Sequence, residues 1–208
     1  MYIDIHTHRT TFDEAVTSIV NNSATASLAS AGIHPWDITQ QWEQEFERIR
    51  IAIGRSEVVA IGECGIDKIK SPANSELQKK VLEAHIGLSE EIEKPLILHC
   101  VRGADEIIAL HKKFRPRQAW IIHGFRGKPH LAKQLLREGF FLSFGEKFNS
   151  DSLIATPLDR LFAESDTSDK GIKEIYASIA RIKNISPEEL AKTIRKNAGF
   201  CGFLIPSL

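Results

Sequence analysis

The sequence predicts an α/β protein, a distorted or abbreviated TIM (β/α) barrel occupying residues 1–208 as a single domain. Three observations point there. Short apolar runs alternate with longer amphipathic ones along the chain, the pattern of parallel β/α units. No Gly-rich phosphate loop follows any of these runs, which removes support for the nucleotide-binding sheets. Several runs end in a histidine or carboxylate, and barrel active sites lie at the strand ends. The chain of 208 residues is near the lower limit for eight full units. The 25 residues between His8 and His34 are too few for two complete units, so one unit is expected to be abbreviated.

The runs that read as strands are Tyr2–Ile5, Ala26–Gly32, Val58–Ile61, Leu96–Leu98, Ala119–Ile122, Phe140–Phe144 and Arg160–Ala163. Helical spacing marks Asp37–Ile53, Glu76–Glu93, Asp105–Phe114, Pro129–Glu138, Lys170–Ile182 and Pro187–Phe200. In the second of these, Leu77, Val81, Leu88 and Ile92 recur at intervals suited to one helix face. Pro95 marks the step from helix to strand, and Ser186 is placed to cap a helix that begins at Pro187.

Composition bounds the function. Lys plus Arg and Asp plus Glu are both 27, so the formal net charge is zero and a protein that coats nucleic acid through overall charge is excluded. Any polyanion must be held by a local patch. No apolar run approaches the ~20 residues of a membrane span, and no secretory leader pattern opens the chain. The three cysteines, Cys64, Cys100 and Cys201, are widely spaced and odd in number, which fits a reducing compartment. The expectation is a cytoplasmic protein that does not engage a membrane.

The opening strand carries His6 and His8 on one face, ~7 Å apart along the chain, and Asp4 on the same face one layer deeper. Two imidazoles so placed can share a metal ion, and Asp4 is placed to accept the free ring N–H of one of them. The design recurs: Val58–Gly62 ends in Glu63, Leu96–Leu98 in His99, Trp120–Ile122 in His123, and Leu161–Ala163 in Glu164-Ser165-Asp166. Each residue taken alone also fits a satisfied rim histidine or a solvated carboxylate. Together they place His6, His8, Glu63, His99, His123 and Asp166 around one barrel mouth. Six N/O ligands can hold two divalent ions if one carboxylate bridges, and Glu63 suits that role because a carboxylate has two oxygens. The expected sets are His6, His8, Glu63 and Asp166 for one ion, and Glu63, His99 and His123 for the other. Such donors suit Zn, Mn, Ni or Fe, with Mg possible where carboxylates dominate.

These residues resemble the TatD family of metal-dependent deoxyribonucleases, within the amidohydrolase-like TIM barrels. The resemblance is carried by His6-Thr7-His8, Gly32-Ile33-His34-Pro35, Ile61-Gly62-Glu63-Cys64-Gly65-Ile66-Asp67, Pro95-Leu96-Ile97-Leu98-His99, His123-Gly124-Phe125 and Glu164-Ser165-Asp166, in the family's order over almost the whole chain. It implies a distorted barrel, two divalent cations, hydrolysis of DNA phosphodiesters and the same ligand set. It also implies that His34 is a pocket residue, and it places Gln78 in the helix before the fourth ligand. The chain departs from the family between His8 and His34 and after Asp166. There Thr167-Ser168-Asp169-Lys170-Gly171 replaces the usual Pro and Arg- and Asn-rich loop. Gly124 stands for the family's usual Cys, and Arg126-Gly127 for its Ser-Gly.

Two adjacent cations suit phosphoester hydrolysis, because they can activate water, polarise the phosphoryl oxygen and stabilise the leaving alkoxide. Asp166, whose rival as a metal ligand is Asp169, is the expected base for the attacking water, Glu63 the bridge, and Glu164 a support for the ligands. Arg102, Arg126 and Lys128 follow strand ends and are candidate phosphate contacts, equally readable as solvated loop charges. Trp36 is placed either to stack a base or to pack at the rim. His85, His111 and His130 read as packing or surface residues, and Cys64 and Cys100 as buried hydrophobes facing away from the ligands. Two other functions remain open: hydrolysis of a small amide, lactone or phosphoester at the same site, and a non-catalytic metal-binding relic.

Overall fold

The computed structural model describes residues 1–9, 13–71 and 73–205. Eight parallel strands follow one another in chain order: β1 (Tyr2–Thr7), β2 (Val16–Asn21), β3 (Ala29–Ala31), β4 (Val58–Asp67), β5 (Leu96–Val101), β6 (Trp120–Ile122), β7 (Phe141–Phe144) and β8 (Leu161–Ala163). The ring closes where Thr7 bridges Asp166, with Asp166 N donating to His6 O at 3.0 Å and His8 N to Asp166 O at 3.3 Å. The helices are α1 (Trp42–Ile53), α2 (Ser75–Ile92), α3 (Ala104–Phe114), α4 (Pro129–Arg137), α5 (Ser150–Ala155), α6 (Ile172–Lys183) and α7 (Pro187–Phe200).

Each helix begins and ends where local chemistry allows it. Asn74, Asn149 and Ser186 accept a backbone N–H of the first turn of α2, α5 and α7, and Pro187 opens α7 as expected. Side chains then fix helices to strands. The Tyr176 hydroxyl on α6 donates to Ile3 O at 2.8 Å and accepts from Ile3 N at 3.2 Å. Asn197 on α7 donates to Leu158 O and Leu161 O at 2.8 and 2.9 Å, which seats α7 under β8.

The expected barrel is present, with several differences in its elements. Val16–Asn21 is a strand the apolar pattern does not mark, because Thr17 and Ser18 interrupt it. The run Ala26–Gly32 narrows to Ala29–Ala31, and the helix expected from Asp37 begins at Trp42, after a single 3-10 turn at Pro35–Asp37. The abbreviation between His8 and His34 removes helices rather than a strand: among the described residues, neither β1 nor β2 is followed by one. The six-residue α5 is a further element without a sequence signal.

β4 determines where Glu63 points. The register of β4 on β5 shifts between Ile61 and Cys64. Gly62 (φ +129°) and Gly65 (φ +148°) flank the shift, and a Cβ at either would lie 2.3 Å from Ile97 O or 2.0 Å from His99 O. Only glycine allows this approach and backbone conformation. The result is a carboxylate tucked into the barrel mouth. Cys64 faces the apolar core on the other side, where burial pushes its thiol pKa up.

Candidate metal centre

Five imidazoles converge on the two oxygens of Glu63. Glu63 Oε2 lies 3.1 Å from His6 Nε2 and 3.6 Å from His8 Nε2. Glu63 Oε1 lies 2.7 Å from His99 Nδ1, 2.7 Å from His123 Nε2 and 3.2 Å from His34 Nε2. Asp166 Oδ1 stands 3.9 and 3.6 Å from the Nε2 atoms of His6 and His8. The six candidate ligands therefore meet, supplied by β1, β4, β5, the ends of β6 and β8, and the short segments beyond them. His6 and His123 also touch, with ring centroids 4.5 Å apart.

The donor set suits a cation. His6 is wholly buried, and neither of its ring nitrogens makes a directed hydrogen bond. A buried polar atom left this way costs free energy unless something else fills its lone pair. Three overlapping groups of donors lie close enough to share an ion: His6, Glu63 and His123; His6, His8 and Asp166; His34, Glu63 and His99. Imidazole and carboxylate without thiolate match hard or borderline divalent ions.

Electrostatics hold the centre in its anionic form. Burial raises the Glu63 pKa, but the charge of His123 and the close approach of the His123, His34 and His6 imidazoles outweigh it, and the carboxyl stays far below the usual range. Burial lowers the His123 pKa, but the facing Glu63 and Glu164 carboxylates hold it well above the ordinary imidazole value.

Carboxylates behind the ligands orient the rings. His123 Nδ1 lies 3.2 Å from Glu164 Oε1, so the supporting role expected of Glu164 has a geometric basis. His99 Nε2 lies 3.2 Å from Asp67 Oδ2, which also accepts the Trp36 indole N–H at 2.7 Å. Burial raises the Asp67 pKa, but the Trp36, Lys70 and Ile69 N–H groups outweigh it and bring the carboxyl down to about 2. Asp67 is a functional candidate that the sequence argument missed. The signal existed, since Glu63, Gly65 and Asp67 alternate onto one face of β4. Gln78 supports it by accepting the Asp67 N–H at 2.8 Å.

Other placements differ from expectation. Asp4 does not reach a ligand's ring. It accepts Ser165 N at 2.8 Å and Ser165 Oγ at 2.6 Å, because the β8 end comes closer than the histidines, and burial pushes it up to about 7. It therefore ties Asp166's neighbour to β1. Asp169 is exposed and paired with Arg9 at 3.0 Å, away from the imidazoles. Arg126 lines a cleft of about 200 Å³ beside Asp166, with Gly124, Glu146 and Lys147. Arg102 and Lys128 are exposed and lie outside that lining. Trp36 packs at the rim, T-shaped against His34, with Lys70 over its ring at 4.7 Å. His85 is buried in α2, His111 packs on Phe140, and His130 is exposed.

Comparison with known proteins gives this centre a lineage. Residues 2–200 match the family model described as TatD related DNase. The chain belongs to the TatD family of metal-dependent hydrolases. A relative described as an uncharacterized metal-dependent hydrolase, from Buchnera aphidicola subsp. Baizongia pistaciae, is 30% identical over 191 residues, covering 82% of this chain and 72% of its own. The 3'-5' ssDNA/RNA exonuclease TatD of Enterobacter lignolyticus is 30% identical over 148 residues, which is 66% of this chain but only 56% of that enzyme. In structure, the TatD homolog YjjV of Escherichia coli K12 superimposes with a TM-score of 0.81 at 21% identity, over 99% of this chain and 98% of its own. That likeness shows the TatD barrel fold. No helix among the described residues is long and apolar enough to cross a membrane.

Proposed function

We propose that this TatD-family chain is a phosphodiesterase acting on single-stranded nucleic acid with two divalent cations, both of which Glu63 would hold. The observation that carries the reading is the division of labour at Glu63, whose Oε2 faces His6 and His8 while Oε1 faces His99 and His123. His6, His8, Glu63 and Asp166 would hold one ion, and Glu63, His99 and His123 the other. Such a pair supplies a lowered water pKa and charge stabilisation at the phosphoryl and leaving oxygens. Zn, Mg, Mn, Ni and Fe all remain compatible with the donors.

The protein's own residues do the rest. Asp166, with its side chain a quarter exposed at the mouth, orients the attacking water and takes its proton. A bond forms from water oxygen to phosphorus, the P–O ester bond breaks, and the departing oxygen takes a proton from solvent. Arg126 and Lys147 flank the cleft and hold an adjacent phosphate; the guanidinium of Arg126 suits this geometry. Glu164 and Asp67 keep the His123 and His99 rings aimed. Arg102 and Lys128 take no part in this scheme.

A second reading, hydrolysis of a small phosphoester at the same centre, is favoured by the net charge of zero and by a cleft with only two cationic side chains. Single-stranded oligonucleotide and a small model diester, assayed across a salt series, separate them. Two phosphate contacts predict a log–log slope in apparent affinity of roughly −1.4 for the oligonucleotide. Elemental analysis should find two divalent ions per reconstituted chain, and Glu63→Gln should lose both ions and all turnover. A Glu63→Gln protein that still binds two ions would refute the bridge.

A further inference from the structure

The five imidazoles around Glu63 are not equivalent. His99 and His123 each turn their outer nitrogen to a carboxylate, Asp67 at 3.2 Å and Glu164 at 3.2 Å. A carboxylate accepts, so each outer nitrogen carries the proton. The inner nitrogen, His99 Nδ1 or His123 Nε2, can then offer its lone pair to a cation, releasing any proton it held. His34 is arranged the other way. Its Nδ1 accepts the backbone N–H of Trp36 at 3.1 Å, capping the turn Pro35–Asp37. An accepting Nδ1 has no proton, so the neutral ring must carry it on Nε2. That Nε2 is the atom pointed into the centre, 3.2 Å from Glu63 Oε1 and 3.3 Å from His99 Nδ1. Ligation through Nε2 would require moving the proton to Nδ1 and breaking the cap.

We infer that His34 is not a metal ligand but a hydrogen-bond donor, whose Nε2–H is held for an anionic phosphoryl oxygen of the substrate. This rests on the phosphodiesterase reading for its acceptor, but not for its polarity. His34, Glu63 and His99 are close enough to form a metal site, yet the turn at Pro35 fixes the neutral His34 tautomer with its proton on the inward Nε2. The ring is held in place as well, packed edge-on against both Trp36 and His99 at 4.7 Å between centroids. A donor fixed this way acts on charge that develops in the transition state, where loss of one such contact costs about 100-fold or more.

Two experiments test the assignment. In the full chain labelled with ¹⁵N-histidine, two-bond ¹H–¹⁵N correlations report the tautomer of each ring before and after Zn²⁺ is added. His34 should keep its Nε2–H in both states, while the inner nitrogens of His99 and His123 shift with the ion. Loss of the His34 Nε2–H on loading would overturn the inference. In the second, His34→Ala should bind as many Zn²⁺ ions as the parent chain, with turnover of a model diester down about 100-fold. His34→Gln, with an amide N–H at similar reach, should recover at least tenfold of that loss. A lower ion count in His34→Ala, or unchanged turnover, would overturn it too. If the parent chain cleaves no phosphodiester, the functional proposal fails, while the tautomer and ion counts still decide whether His34 is a donor.

Discussion

His85 provides a quantitative test of the packing that supports the site. It lies fully buried on α2; its Nδ1 lies 2.8 Å from Val81 O and its Nε2 accepts Ile33 N at 3.1 Å. One nitrogen donates and the other accepts, so the ring is satisfied only when neutral. Burial pushes its pKa down to about 4 from an ordinary 6.5, against a smaller opposing effect of the Val81 bond. The unfolded chain therefore takes up the proton first. Stability is complete above pH 6.5 and is lost as pH falls towards 4. The fall from 6.5 to about 4 corresponds to roughly 3–4 kcal/mol from this single side chain. His85→Gln keeps an acceptor for Ile33 N and removes the titration. In urea unfolding of the metal-free protein at pH 7, 6, 5 and 4.5, the parent chain should lose stability faster than the variant, with the gap opening below pH 6.5. Parallel curves for the two proteins would refute the reasoning.

Two further outcomes follow from the geometry. Asp67→Ala removes the partner that fixes His99 Nε2 and should weaken one of the two ions by 10–100-fold while leaving the other in place, read by calorimetric titration; equal weakening of both would show that Asp67 acts on the whole mouth. Gly65→Ala places a Cβ 2.0 Å from His99 O at a φ of +148°, so it should cost roughly 3 kcal/mol or more by denaturant unfolding. A loss under 1 kcal/mol would mean that β4 and β5 can part without cost.

Much of the barrel is legible because buried strands of a β/α fold are short unbroken apolar runs and their helices are long enough to show a face. β2 escapes because it reads Val-Thr-Ser-Ile-Val-Asn and, among the described residues, is followed by no helix to give the repeat away. At six residues, α5 is too short to show a period. Strand alternation told which side Glu63, His99 and His123 would face. It did not tell which neighbour each would meet. Asp4 shares the face of His6, yet its oxygens are taken by Ser165, 161 residues along the chain. Whether a capping turn makes His34 a donor likewise depends on where one backbone N–H points, which no residue pattern encodes.

The loss of helices after β1 and β2 bears on whether the site still works. In a full barrel those helices would brace the first two strands. Here short bonds at the strand tips do so instead. Asn21 Oδ1 accepts Glu63 N at 2.8 Å and Ser30 Oγ at 3.2 Å, and the Asn22 side chain exchanges two bonds of 3.0 Å with the Gly32 backbone. The backbone of Glu63 is thus tied to β2, which no helix follows among the described residues. A decaying barrel would be under no pressure to keep a buried anion, or a buried His6 without a hydrogen-bond partner, since apolar residues there would be more stable. That these costs persist in the shortened half of the ring favours a working centre over a relic.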